Sequence, residues 1–315
     1  MSGFITIMLT GLLIAVAAAT GFTVRRLRRP PKRTYGAAVA RGLPGDPGEL
    51  PTPRTFETWM LRVDSPRTRS LRGLEMPVWD IPGDDPNGPT IMLTPGWGDS
   101  RIGALARIPH LAPMSARLLA WDPPGHGEAP GECALGTSAE VEALAALAQR
   151  AIEPGKDAGR LALYGWSLGA GVSIATAAAW EGPGPAPAVI AEAPYRVPMT
   201  PARRVMRAAG YPYRINVPLT FAYLGIRLGV GPKWRGFDRA ELAALMRSPL
   251  LVLHGARDTV SPVEDGRAIA AAAKDGAICE ITDAGHNDLW TDPQYAERCI
   301  EAVDAFLERS FRTRG

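Results

Sequence analysis

The chain has 315 residues, 46% of them hydrophobic and 21% charged, a balance that excludes a disordered or fibrous protein and allows a sizeable buried core. Its net charge of +3 is local: Met1–Arg33 carries six basic residues and no acidic one, which leaves the rest of the chain at −3. A mildly acidic body lacks the basic footprint of a nucleic-acid-binding protein.

Gly3–Val24 is an uncharged run of 22 residues, close to the roughly 20 that span a bilayer as a helix. The basic run Arg25–Arg33 follows at once. A cleaved signal peptide would carry its positive charge before the apolar run, although Ala17–Ala19 imitates a cleavage site. A retained transmembrane helix explains the flank better and places the remainder of the chain on the cytoplasmic side. Residues 1–33 are thus expected to form the anchor and its basic flank. Thr34–Pro53, rich in Gly and Pro, reads as a linker, and residues 54–315 as one domain.

In that domain Thr55–Val63 and Leu74–Ile81 resemble an antiparallel opening pair, followed by short apolar strands at Thr90–Thr94 and Arg117–Asp122. Glu140–Ile152 has apolar positions at helical spacing, and Thr137 with Glu140 predicts a capping box at its start. Strands are expected at Leu161–Tyr164, Ala188–Ala193, Pro249–His254 and Ala277–Ile281, and helices at Leu168–Trp180, Glu264–Ala273 and Pro293–Glu308. This alternation predicts an α/β fold: a mostly parallel central sheet with helices on both faces. Residues 196–247 interrupt it and read as a short helical cap. Within them the apolar stretch Val217–Val230 is shorter than a spanning helix, and a second membrane-touching surface is the alternative reading of it. Its Phe221 and Leu224 are candidates to line a substrate pocket, with simple packing as the competing reading.

The chemistry centres on Gly165-Trp166-Ser167-Leu168-Gly169, between a predicted strand and a predicted helix. Flanking glycines let a serine sit on a sharp strand-to-helix turn, with the helix N-terminus ready to face a developing oxyanion. A serine hydroxyl needs a base. Of His110, His126, His254 and His286, the last stands in a loop after the final strand, from which it can reach back over the sheet. His110 reads as surface or core filler, and His254 as half-buried at a strand end. Asp258, in the loop beyond Pro249–His254, supplies the acid that orients the histidine, with Glu192 as the reserve. The oxyanion hole is expected from the Leu168 and Trp97 N–H groups. Cys133, Cys279 and Cys299 show neither disulfide nor zinc-ligand spacing, and no metal or organic cofactor is implied.

These segments resemble the α/β-hydrolase superfamily over roughly Thr55 to Leu307: Pro95–Gly98 as oxyanion loop, Asp122–Gly127 as an Asp-x-x-Gly-His-Gly turn, the Gly165–Gly169 elbow, and the loops of Asp258 and His286. The resemblance implies that His126 is architectural. Pro95 stands where the family commonly has His. The resulting expectation is a serine hydrolase of carboxylic esters or thioesters acting on a small-molecule or lipid substrate near a membrane. The alternatives are an acyltransferase or peptidase with the same triad, or an inactive membrane-anchored binding protein on the same fold.

Overall fold

A computed structural model of the chain describes residues 2–63, 68–152 and 160–311. Its elements begin with α1 (Ser2–Arg28) and α2 (Tyr35–Val39), then β1 (Glu57–Arg62), β2 (Glu75–Pro82) and β3 (Thr90–Thr94). Next come α3 (Ile108–Leu111), β4 (Arg117–Trp121), α4 (Ser138–Ala151), β5 (Leu161–Trp166), α5 (Leu168–Ala178) and β6 (Ala188–Glu192). Three helices follow, α6 (Met199–Ala208), α7 (Tyr213–Arg227) and α8 (Arg239–Leu245), before β7 (Leu250–Gly255), α9 (Val263–Ala272), β8 (Gly276–Ile281) and α10 (Pro293–Phe311).

The strands form one eight-stranded sheet in the order β1-β2-β4-β3-β5-β6-β7-β8. β2 runs antiparallel to both of its neighbours, and every other pair is parallel. Every residue of β5, β6 and β7 is buried, because helices cover both faces and a parallel sheet has no solvent side. α3 and α10 close one face through Ile108, Leu111, Val303 and Phe306. α4, α5, α8 and α9 close the other through Leu144, Ile174, Ala243 and Ile269. Strand order reverses at β3, with β4 on one side and β5 on the other. The chain leaves β3 toward α3 on one face and β5 toward α5 on the other, and it is outside the carboxyl ends at such a switch point that ligands of these sheets bind.

The insertion is smaller than the expected 196–247. α8 packs between α5 and α9 and is the crossover helix that the parallel pair β6–β7 requires. The cap is α6, α7 and the loop to Phe237. Val217, Phe221 and Leu224 of α7 join Leu168, Tyr195, Trp234 and Phe237 in a third small core of its own.

α1 is long and apolar enough to cross a bilayer: within Gly3–Arg28 the most apolar 18-residue window has a mean hydropathy of 2.1 and is not buried in the protein. Its last turns are joined to the domain. The Asn216 amide donates to Thr23 Oγ1 at 2.8 Å. The Cys133 N–H donates to the Arg28 carbonyl, and the Arg28 guanidinium returns a bond to the Cys133 carbonyl at 2.6 Å. Val24 and Leu27 pack on the cap core.

Two expectations need correction. Thr34–Pro53 is not a free linker: Ala38 and Leu50 are buried in the sheet's first core, and Arg54 clamps Asp84 with two bonds of 2.6 and 2.8 Å. Its glycines and prolines make the turns of a strap laid on the domain. Thr137 does precede α4, but its hydroxyl donates to the Ala134 carbonyl instead of capping. Glu140 turns inward, fully buried, and accepts the Ala134 N–H, so no capping box forms.

Candidate active site

Ser167 joins the carboxyl end of β5 to α5 at φ 54°, ψ −111°, a backbone region that costs a non-glycine residue on the order of 1–3 kcal/mol. The turn closes only because its neighbours lack side chains. A Cβ on Gly165 would collide with the Gly169 carbonyl, and one on Gly169 with the Thr94 carbonyl of β3. Surrounding structure therefore holds the strain, and Ser167 stands half-buried at the carboxyl end of the sheet.

His286 reaches that serine from the loop after β8. Its Nε2 lies 3.1 Å from Ser167 Oγ and its Nδ1 2.6 Å from Asp258 Oδ2. A carboxylate can only accept, so Nδ1 carries the proton and Nε2 is free to take the proton of the serine. The two loops meet because Gly255, at the end of β7, has no side chain: a Cβ there would strike the carbonyls of Ala284 and Gly285. Gly285 in turn donates its N–H to the Asp288 carboxylate at 2.8 Å.

Asp258 is itself held firmly. Its Oδ1 accepts the N–H groups of Val260 and Ser261, each at 2.7 Å. Burial raises the pKa of its carboxyl, but the hydrogen bonds of His254 and His286 more than reverse this and hold it well below the ordinary carboxylate range. The group is ionised at neutral pH. His254, expected half-buried, is fully buried, with Nε2 3.4 Å from Asp258 Oδ2 and 3.1 Å from the Ser261 carbonyl.

Glu192, the reserve acid, is engaged elsewhere. Arg107 Nε donates to it at 2.8 Å, the Tyr164 hydroxyl at 2.6 Å and the Trp290 indole at 3.1 Å. It ties the ends of β5 and β6 to Arg107 and Trp290, whereas the hydrogen bond to His286 Nδ1 is made by Asp258. His126 is fully buried, with Nδ1 3.1 Å from the Pro124 carbonyl, and burial pushes its pKa down to about 4. Beside it Asp122 pairs with Arg101 and accepts the Arg101 and Glu128 N–H groups at 2.7 and 2.8 Å. His110 stacks at a tilt on Trp290, 5.5 Å between centroids.

The loop after β3 runs alongside the nucleophile: a Cβ on Gly96 would lie 3.3 Å from Ser167 Cβ. Among the described residues, neither the Trp97 nor the Leu168 N–H makes a backbone hydrogen bond, and both belong to segments that touch Ser167. The Trp97 indole turns the other way and donates to the Leu27 carbonyl of α1 at 3.0 Å. Asp99 braces the same loop, accepting from the Trp166 indole at 3.0 Å and pairing with Arg33 at 3.0 Å.

Phe221 and Leu224, offered as pocket residues, are 2% and 1% exposed. Phe221 stacks on Trp234, whose indole donates to the Phe221 carbonyl at 2.6 Å. Their inward face fills the cap core, so packing is their role here. An open concavity of about 1060 Å³ lies among Phe56, Asp80, Arg117 and Arg160 at the other end of the sheet and contains no nucleophile–base pair.

Reading the sequence missed His254 as a second partner of Asp258, and Asp99 and Arg107 as supports. Asp99 directly follows Gly96-Trp97-Gly98, and that adjacency was the available signal. Arg107 was hidden by a composition in which arginine is abundant.

No protein-family model matches the sequence, and no curated protein matches it. The fold has clear counterparts among solved structures. A Pyrococcus furiosus esterase aligns with a TM-score of 0.64 at 18% identity, over 90% of this chain and 98% of that one. An esterase from Rhodococcus sp. aligns at 0.57 and 19% identity, over 81% and 99%. A thermophilic esterase from Thermogutta terrifontis aligns at 0.56 and 20% identity, also over 81% and 99%. The chain has the α/β-hydrolase fold.

Proposed function

We propose that this chain is a serine hydrolase that cleaves a carboxylic ester or thioester through an acyl-enzyme on Ser167, beside a membrane that α1 crosses. The observation that carries the reading is the continuous relay Ser167 Oγ–His286–Asp258, at 3.1 and 2.6 Å, on a strained elbow. In the first half-reaction Ser167 Oγ attacks the carbonyl carbon while His286 Nε2 takes its proton. Asp258 stabilises the imidazolium, and the N–H groups of Leu168 and Trp97 receive the oxyanion. Collapse breaks the bond to the leaving group, which takes the proton back from His286 Nε2. Water then attacks the acyl-enzyme with the same histidine as base and releases the acid and Ser167.

The membrane part of the reading is supported by the length of α1 and by its integration into the domain. A segment destined for removal has no need of bonds to Cys133, Asn216 and Trp97. The basic flank after α1 orients the catalytic body toward the cytoplasm.

The test is a fluorophosphonate probe together with p-nitrophenyl esters of graded acyl length, on the detergent-solubilised full chain and on Ser167→Ala. Labelling and turnover are expected in the parent and absent from the variant, with the melting temperature unchanged. A variant that is still labelled removes Ser167 from the mechanism. A mature N-terminus near Gly21 would remove the anchor and leave the chemistry standing.

A further inference from the structure

We propose that the α6–α7 cap is a second membrane-docking surface, which lies on the anionic leaflet of the same bilayer that α1 crosses. This rests on the reading of α1 as a retained anchor.

The outward face of α7 is apolar where that of a surface helix is ordinarily charged. Ile215, Leu219, Tyr223 and Ile226 are 61%, 45%, 48% and 65% exposed, and no charged residue stands between Arg214 and Arg227. Their spacing puts them on one stripe, opposite the buried Val217, Thr220, Phe221 and Leu224. Val205 of α6 and Tyr211 of the α6–α7 turn extend it, 51% and 57% exposed. Such a patch marks a surface that something covers.

Charge says what covers it. From Arg196 to Phe237 the chain has eight basic residues and no acidic one. Arg196 is matched by Asp238, whereas Arg203, Arg207, Arg214, Arg227, Lys233 and Arg235 are exposed around the apolar stripe. With the six basic residues of the α1 flank, the α1 and cap segments hold fourteen positive charges, which leaves −11 on the rest of the chain of net +3. An anionic surface attracts the first group and repels the second, and basic side chains ringing an apolar stripe are what an interfacial helix presents to lipid.

Depth agrees. Val16, Ala19, Thr20, Thr23, Val24 and Leu27 are half-buried at helical spacing on one face of α1, and α7 is the helix against which α1 packs. The covered stretch Val16–Val24 is the end of the apolar run itself, about 12 Å of helix. With that run in hydrocarbon, α7 is held beside its end, at the level of the headgroups. The cap also touches the catalytic loop, since Arg204 donates to the Asp258 carbonyl at 3.3 Å. Docking therefore places the rim of the site against lipid and points to an amphiphile drawn from the bilayer as the substrate class.

The test uses the full chain in a Cys279→Ser background, carrying a single added cysteine labelled with an environment-sensitive fluorophore. The positions are Leu12, on α1; Leu219 or Ile226, on α7; and Glu301, on α10, in vesicles of phosphatidylcholine with or without phosphatidylglycerol. Lipid-borne bromine is expected to quench the labels at Leu219 and Ile226 several-fold more than the label at Glu301. The difference should grow with phosphatidylglycerol and shrink in Arg203→Glu/Arg207→Glu/Arg214→Glu, while Leu12 stays equally quenched; an α7 signal indifferent to both overturns the role of lipid charge. Quenching at Leu12 without quenching on α7 overturns the docking and spares the anchor. No quenching at Leu12 overturns both. Protection of the α7 labels that follows protein concentration instead of lipid charge overturns the proposal in favour of a second copy of the chain.

Discussion

Replacing Asp258 by Asn keeps size and shape and changes one chemical property, the ability to accept on both oxygens. The Asn carbonyl can still take the N–H groups of Val260 and Ser261, which now fix Oδ1 at 2.7 Å each. Its amide NH₂ then faces His286 Nδ1, 2.6 Å away in the parent. Two donors cannot share that contact, so the imidazole switches to the tautomer with its proton on Nε2, aimed at Ser167 Oγ. The base has become a donor. The precedent for this change in a triad is a loss of about 10⁴ in kcat, about 5.4 kcal/mol of barrier at 1.36 kcal/mol per decade. Steady-state hydrolysis of p-nitrophenyl butyrate in detergent measures it, with fluorophosphonate labelling slowed in parallel. A loss below tenfold, or an equal loss in kcat for folded Glu192→Gln, would refute the assignment. Glu192→Gln is instead expected to lower the melting temperature, since it weakens the buried pair with Arg107.

Gly255→Ala should cost on the order of 10² in kcat/KM, because a methyl group at the end of β7 pushes the His286 loop off by roughly an ångström; circular dichroism should show an unchanged fold, and parental activity would refute the geometry. Phe221→Ala empties a buried site and should destabilise by about 3–5 kcal/mol, while the ratio of kcat/KM for a short and a long ester stays constant; a changed ratio would return Phe221 to the substrate pocket. Burial pushes Glu140 up to about 7 from 4.5, so the native state holds a proton that the unfolded chain has released between those values, and stability falls as pH rises through that window. Glu140→Gln should therefore raise the melting temperature at pH 8, by on the order of 3 kcal/mol of stability, with the gain vanishing near pH 4.5; a gain independent of pH would show that Glu140 is ionised throughout.

The candidate constellation of Ser167, His286 and Asp258 could be nominated from the chain because its determinants are local. The elbow is written in five consecutive residues around Ser167, and the acid and base stand in loops directly after recognisable strands. Glu192 could be ranked behind Asp258 by position, but its capture by Arg107, Tyr164 and Trp290 depends on residues 85, 28 and 98 positions away, which no pattern along the chain records. The same blindness applies to Phe221. Apolar residues in a cap look alike whether they face substrate or each other, and only the partners Trp234 and Leu168 decide between the two. Thr34–Pro53 misled for a different reason: glycine and proline mark turns, and turns occur as readily in a strap pressed on a core as in a tether. Glu140 sat at the right spacing for a cap, but the Ala134 N–H drew its carboxylate inward.

A tether of twenty flexible residues would let a catalytic body wander on the order of 25 Å from its anchor. The stitching of the last turn of α1 to Cys133, Asn216 and Trp97 abolishes that freedom. If α1 stands in a bilayer, Ser167 keeps one altitude above it and one compass heading around the helix axis. On the proposed function, a catalyst fixed in this way would work as a ruler. It would select a bond by how far that bond stands from the plane of the membrane, as well as by what kind of bond it is.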